Sequence, residues 1–178
     1  MAIIGVGSPV GDDQAGWWVA HALQRSGLPD RLACQTSIVA LDRPGAGLVR
    51  YLAGVDVAVL IDAVQSGNAP GTIHRVDDLA SIRKEPLVSS HGLGVASALA
   101  LASALDALPA TLVLYGIEIG NASFDAVPSA AVSIAAASLA TRINAEVAAR
   151  WPREEPSPAT SANPVERMTP TVVSQSEA

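Results

Sequence analysis

The chain reads as a single-domain α/β protein, a Rossmann-like three-layer sandwich with a mostly parallel sheet of about five strands and helices on both faces. Three observations predict this class. Strand-like and helix-like runs alternate from residue 2 to about residue 150, the order in which helical crossovers join parallel strands. The first strand passes through a glycine-rich turn into a helix, in Ile3-Ile4-Gly5-Val6-Gly7-Ser8-Pro9-Val10-Gly11-Asp12-Asp13-Gln14-Ala15-Gly16. A length of 178 residues, 49% hydrophobic but only 3% aromatic, supports one core built of Ala, Val, Leu and Ile.

The strand-like runs are Ala2–Val6, Leu32–Leu41, Asp56–Ile61, Thr72–Val76 and Thr111–Ile119, each rich in β-branched and aliphatic residues. The first helix is expected from about Asp13 to Arg25, with Ala15, Val19, Ala22 and Leu23 on one face. Gly47–Leu52 reads as a short helix and Asp77–Ile82 as a weaker turn. Leu93–Leu105 is almost wholly apolar, which predicts burial on several sides. The last helix runs from about Pro128 to Arg150, with Val132, Ala136, Leu139, Ile143 and Val147 at helical spacing. Residues 1–151 therefore form the expected domain. Residues 152–178, rich in Pro, Ser, Thr and Glu, read as a disordered tail that buries too little to repay its ordering entropy.

Composition removes several function classes. A net charge of −6 and a pI near 4.9 leave no basic footprint for nucleic acid. The single cysteine, Cys34, forms no internal disulfide and no CxxC zinc site. It lies in the second strand-like run and reads as a small buried thiol. With a strand expected almost from Met1, no secretory leader is predicted. The uncharged stretches Pro86–Leu105 and Ala126–Thr141 are Ala/Ser-rich and make poor membrane spans. A cytoplasmic protein, monomeric when free and without a membrane partner, is the expectation.

The opening turn resembles a nucleotide-binding turn with its charge reversed. A dinucleotide turn sets backbone N–H groups and a helix N-terminus against pyrophosphate. Here Asp12 and Asp13 occupy that place, and Val10 stands where the third glycine of the fingerprint belongs. Carboxylates there repel phosphate and favour a cation. Two further polar residues fall where open α/β sheets build sites, at strand carboxyl ends and the loops after them. Asp62 ends Val57-Ala58-Val59-Leu60-Ile61-Asp62, and His91 follows Val88-Ser89-Ser90 at the start of the apolar helix. Taken singly, each has a plain structural role available: a helix cap, a loop-amide acceptor, a core histidine. Converging at one sheet edge, Asp13, Asp62 and His91 make an O,O,N set suited to a borderline divalent metal, with coordination positions left free.

The motifs carrying these residues resemble those of the [NiFe]-hydrogenase maturation endopeptidases. The first is Gly5-Val6-Gly7-Ser8-Pro9…Asp12-Asp13-Gln14-Ala15-Gly16. The second is Leu60-Ile61-Asp62-Ala63-Val64-Gln65-Ser66-Gly67-Asn68-Ala69-Pro70-Gly71-Thr72, and the third Ser89-Ser90-His91-Gly92-Leu93-Gly94. Asp42-Arg43-Pro44-Gly45-Ala46-Gly47 matches the family's glycine-rich loop more weakly, and Tyr115-Gly116-Ile117-Glu118 fits its late strand. The resemblance covers roughly Ile3 to Arg150. It implies an endopeptidase that removes a C-terminal extension from a hydrogenase large-subunit precursor once nickel is installed. It also implies that Asp13, Asp62 and His91 contact that nickel and carry the catalysis, with no organic cofactor. The first turn has Ser8 where the family usually carries Asn and is one residue shorter, so Asp12 stands as an alternative to Asp13.

Other candidates carry less. His74, in Thr72-Ile73-His74-Arg75-Val76, reads as an edge-strand side chain, and His21 as a solvent or packing residue on the first helix. Trp17 and Trp18 are adjacent and so point to different helix faces, one inward and one outward. Glu118 is a candidate to support the site from behind. No GxSxG elbow is present and Cys34 has no evident partner, so an acyl-enzyme has no support. Two rival functions remain: a metal-sensing chaperone that holds the nickel-loaded precursor without cutting it, and an ordinary nucleotide-binding Rossmann enzyme.

Overall fold

β1 (Ala2–Gly7) is buried at every position because it runs through the middle of a five-stranded sheet with both faces covered. The computed structural model describes residues 1–77, 94–120 and 129–152. After β1, a 3-10 turn (Gly11–Gln14) leads into α1 (Ala15–Arg25), and β2 spans Ser37–Asp42. A second 3-10 turn (Gly45–Leu48) runs into α2 (Val49–Leu52), followed by β3 (Val57–Val64) and β4 (Ile73–Val76). α3 (Val95–Ala104), β5 (Thr111–Glu118) and α4 (Ala130–Arg150) complete the described elements.

The sheet order is β2-β1-β3-β5-β4, with β4 antiparallel to β5 and the other pairs parallel. α1 and α4 cover one face over a core that includes Ile3, Ile61, Tyr115, Ile117, Leu139 and Ile143. α2 and α3 cover the other over Ile4, Val6, Leu60, Leu99, Leu112 and Leu114. This is the three-layer sandwich that the alternating pattern predicts. Among the described residues, no helix is long and apolar enough to cross a membrane.

From β1 the chain moves outward to β2, then returns past β1 to β3. The connections after β1 and β3 therefore leave in opposite directions, making a switch point outside whose carboxyl ends open α/β sheets ordinarily bind ligands. The packing of α1 over this point depends on glycine. A Cβ on Gly16 would stand 2.2 Å from the Val6 carbonyl oxygen and 2.7 Å from that of Ile61, and one on Gly5 would stand 2.1 Å from the Gly16 oxygen. The start of α1 thus lies directly on the backbones of β1 and β3.

Several boundaries differ from the sequence pattern. β2 begins at Ser37 rather than Leu32. The intervening residues leave the sheet: Leu32 bridges to Pro152 and the Ala33 N–H donates to the Trp151 carbonyl. Cys34 consequently lies in a bend, half-buried and 3.6 Å from Thr36 Oγ1, not in a strand. β3 continues to Val64 because β5 pairs with it to the end, so Asp62 lies within the strand rather than after it. α3 buries Val95, Ala98, Leu99 and Ala102 but exposes Ala96, Ala100, Leu101 and Leu105, so it is covered on one side only among the described residues. α4 buries all five of its predicted positions. Both tryptophans of α1 are half-buried: Trp17 Nε1 donates to the Leu41 carbonyl at 2.8 Å, and Trp18 packs on the core, so neither projects outward. The expected turn at Asp77–Ile82 falls outside the described residues beyond Asp77, and the expected tail does so beyond Pro152.

Candidate active site

The turn after β1 is built from its own backbone. Gly11, at φ 45°, turns the chain in the left-handed region that glycine enters without strain. The Asp13 N–H then donates to the Val10 carbonyl at 2.9 Å, and Gln14 Nε2 donates to the Gly11 carbonyl at 3.3 Å. The carboxylates that the sequence places at the start of a helix are thus on a 3-10 turn ahead of α1. Their surroundings differ. Asp12, 9% exposed, accepts the Ser129 N–H on Oδ1 at 2.6 Å, and Ser129 Oγ in turn caps α4 by accepting the Val132 N–H. Asp13 is 1% exposed, and its charge acts on Arg43.

Asp62 is 2% exposed, with Oδ1 accepting the Ala63 N–H at 2.9 Å. Strand alternation puts it on the α2/α3 face with Leu60 and Val64. Because Gly16 sits on the Ile61 backbone, the Gly11–Gln14 turn and the Asp62 segment of β3 are neighbours. The backbone segments that carry Asp13 and Asp62 therefore lie side by side at the carboxyl edge of the sheet. His91 lies outside the described residues. Gly94 stands three positions after it, and α3, which leads into β5, starts at the same carboxyl edge of the sheet. Among the described residues, no group of three His, Cys, Asp or Glu side chains is arranged to hold a metal ion.

A fourth buried carboxylate belongs to this edge. Glu118, 1% exposed, ends β5 opposite Val64 and two residues beyond Gly116, the partner of Asp62. Its Oε1 accepts the N–H groups of Ser66, Gly67 and Asn68 at 2.7, 2.9 and 3.2 Å. Its Oε2 accepts Ser66 Oγ at 2.7 Å and lies 3.1 Å from His74 Nε2. Burial pushes the Glu118 carboxyl up, but the Ser66 hydroxyl, the Ser66 and Gly67 amides and His74 together hold it below its ordinary value. His74 lies on the edge strand β4, as read from sequence, and is also the outer partner of this carboxylate. The Glu at the end of an apolar strand was the available signal. Its partner depends on the antiparallel register His74↔Gly116, which no local pattern encodes.

The loop after β2 is tied to the end of β1 by Arg43, whose N–H donates to the Gly7 carbonyl at 3.0 Å and whose φ of 42° is unusual for a non-glycine residue. Its guanidinium pairs with Asp42 at 2.6 Å, both side chains being about half exposed. The Asp42 hydrogen bond and charge, with Asp13 behind them, raise the Arg43 pKa. Ala46 and Gly47 are exposed beside it, while His21 lies on the open face of α1.

Comparison with known proteins places this geometry. The family model for hydrogenase maturation protease (HycI) matches residues 19–144, more than two thirds of the chain, spanning Asp62 and His91 but starting after the Asp13 turn. The chain is similar in structure to the hydrogenase maturating endopeptidase HybD from E. coli, with a TM-score of 0.68 and 23% identity over 85% of this chain and 96% of that one. It is also similar to the [NiFe] hydrogenase maturation protease HycI from Thermococcus kodakarensis KOD1, with a TM-score of 0.60 and 23% identity over 82% and 90%. No curated protein sequence matches. At such identities the solved structures establish the fold, and the family model establishes the relationship. The chain belongs to the hydrogenase maturation protease family.

Proposed function

We propose that this protein is the endopeptidase that removes the C-terminal extension of a nickel-loaded [NiFe]-hydrogenase large-subunit precursor, with the substrate's nickel as its recognition element. The observation that supports the reading is the burial of two carboxylates, Asp13 and Asp62, on neighbouring segments after β1 and at the end of β3, beside the switch point of the sheet. Such groups are costly to bury unless a cation or donors compensate them. His91 completes the set as a nitrogen donor. Borderline divalent ions accept mixed oxygen and nitrogen ligands. A precursor without nickel brings no ion to bridge these side chains and is not held in register for cleavage. Between the two carboxylates of the turn, Asp13 is the proposed donor, by its match to the acid of the family's first motif, while Asp12 fixes Ser129 at the start of α4. In this reading the same carboxylates take a proton from an attacking water, general-base work within ordinary carboxylate chemistry.

Membership in a protease family supports cutting over the non-cleaving chaperone, and the buried Asp13 in the turn supports a cation over a dinucleotide phosphate. Replacing Asp62 or His91 by Ala tests the reading, with circular dichroism as the check on folding. Both variants should keep the wild-type spectrum and lose precursor processing. Processing by both at the wild-type rate would refute it.

A further inference from the structure

The Gln65–Pro70 loop follows Asp62 by three residues and is exposed at each of its six positions. Exposed loops ordinarily lose conformational freedom when a partner binds, and that loss weakens binding. Here the loop is already fixed. Glu118 Oε1 gathers three successive amides, those of Ser66, Gly67 and Asn68, and Oε2 takes the Ser66 hydroxyl. Gln65 Nε2 donates to the Gly120 carbonyl at 2.7 Å and Asn68 Nδ2 to Ser66 Oγ at 2.8 Å. The far end is tied by the Gly71 N–H to the Glu118 carbonyl and by the Glu118 N–H to the Thr72 carbonyl, both at 2.8 Å. Three consecutive amides form an anion-binding concavity, and the protein fills this one with its own carboxylate. Behind it, His74 Nε2 holds Oε2 at 3.1 Å.

We propose that Glu118 is a positioning residue for precursor binding: with His74 behind it, its buried carboxylate locks the Gln65–Pro70 loop as a preformed contact surface beside Asp62. The loop offers the uncharged amide and hydroxyl groups of Gln65, Ser66 and Asn68. These suit the main-chain groups of a polypeptide, so the occupant is the precursor chain adjoining its nickel centre. This assignment rests on the reading that Asp62 meets that nickel.

The test is steady-state processing of nickel-loaded precursor by Glu118→Gln, His74→Phe and His74→Gln, beside Asp62→Ala. Gln at position 118 keeps one carbonyl for the three amides but removes the charge, and turns its NH2 group toward the Ser66 hydroxyl and His74 where a carboxylate oxygen had accepted, loosening the loop. KM should rise roughly tenfold with kcat within about twofold, the pattern of lost ground-state binding. His74→Phe should raise KM in the same sense, and His74→Gln, which retains a donor near Oε2, should restore it. A lower kcat at unchanged KM would overturn the proposal, because it would show only a smaller folded fraction. If Glu118→Gln does not fold, the His74 pair decides the question by itself. Inactive Asp62→Ala with wild-type constants for Glu118→Gln and His74→Phe would sink the loop assignment alone. Active Asp62→Ala with raised KM in those two variants would sink the nickel reading and leave the loop assignment standing.

Discussion

Gly16→Ala places a methyl group where α1 crosses β1 and β3. The new carbon would stand 2.2 Å from the Val6 oxygen and 2.7 Å from the Ile61 oxygen, both main-chain atoms that no side-chain rotation can move aside. Ordinary carbon–oxygen contacts are about 3.3–3.6 Å, so α1 must withdraw by about 1 Å. That shift loosens Ala15, Val19, Ala20 and Leu23, all buried against the sheet. Overpacking of this kind costs about 1–3 kcal/mol, and a backbone clash belongs near the upper figure. Helix propensity acts the other way, since Ala is better than Gly inside a helix by about 1 kcal/mol. The net is a loss of about 2 kcal/mol, which for a domain of this size lowers Tm by about 4–8 °C. Thermal unfolding followed by circular dichroism reads it, with Gly47→Ala as control, because a Cβ at Gly47 meets nothing within 4 Å. The control should melt within a few degrees of wild type. A Gly16→Ala protein as stable as wild type, or more so, would refute the claim that this crossing requires glycine. The variant should also process precursor more slowly than its stability explains, because the turn bearing Asp13 moves with α1. Misplacement by about 1 Å can cost on the order of 100-fold in rate.

Three further outcomes follow from the same geometry. Asp12→Ala should lower stability by about 1 kcal/mol through the lost bond to Ser129 and still process precursor, while Asp13→Ala should fold and fail to process. Denaturant melts and a cleavage assay on both variants separate the roles, and the reverse pattern would make Asp12 the donor. The Glu118 carboxyl is held below its ordinary value in the folded protein. The unfolded chain therefore binds the proton more readily, and the stability Glu118 contributes is present above about pH 4.3 and lost as pH falls through its lower folded value. Glu146, lowered chiefly by its hydrogen bond from Arg142, acts with the same sign. Melts between roughly pH 3 and pH 6 should show a weaker acid slope in Glu118→Gln than in wild type, and equal slopes would deny the carboxylate its role.

The three layers were legible because central parallel strands are buried on both faces and so appear as apolar runs, as in Ala2–Gly7 and Val57–Val64. Asp62 stood out for the same reason, being the charge inside the second of those runs. The segment 32–36 misled because an extended chain bridging to Pro152 carries the same residue pattern as a strand in the sheet. Gly5 and Gly16 were visible as glycines of a turn, whereas the structure uses them for close approach of a helix to two strands. The partners of Asp12 and Glu118 were not legible at all. Ser129 lies 117 positions from Asp12, and His74 lies 44 from Glu118, so each contact is created by the tertiary register alone.

The central claim is that these residues read a metal carried by the substrate. Intact-mass spectrometry of the hydrogenase large-subunit precursor, nickel-loaded and nickel-free, incubated with the protein or with buffer, tests it most directly. The account predicts loss of a C-terminal peptide only when both nickel and the protein are present. Cleavage of nickel-free precursor at the same rate, or a nickel-loaded precursor that binds the protein and stays intact, would contradict it.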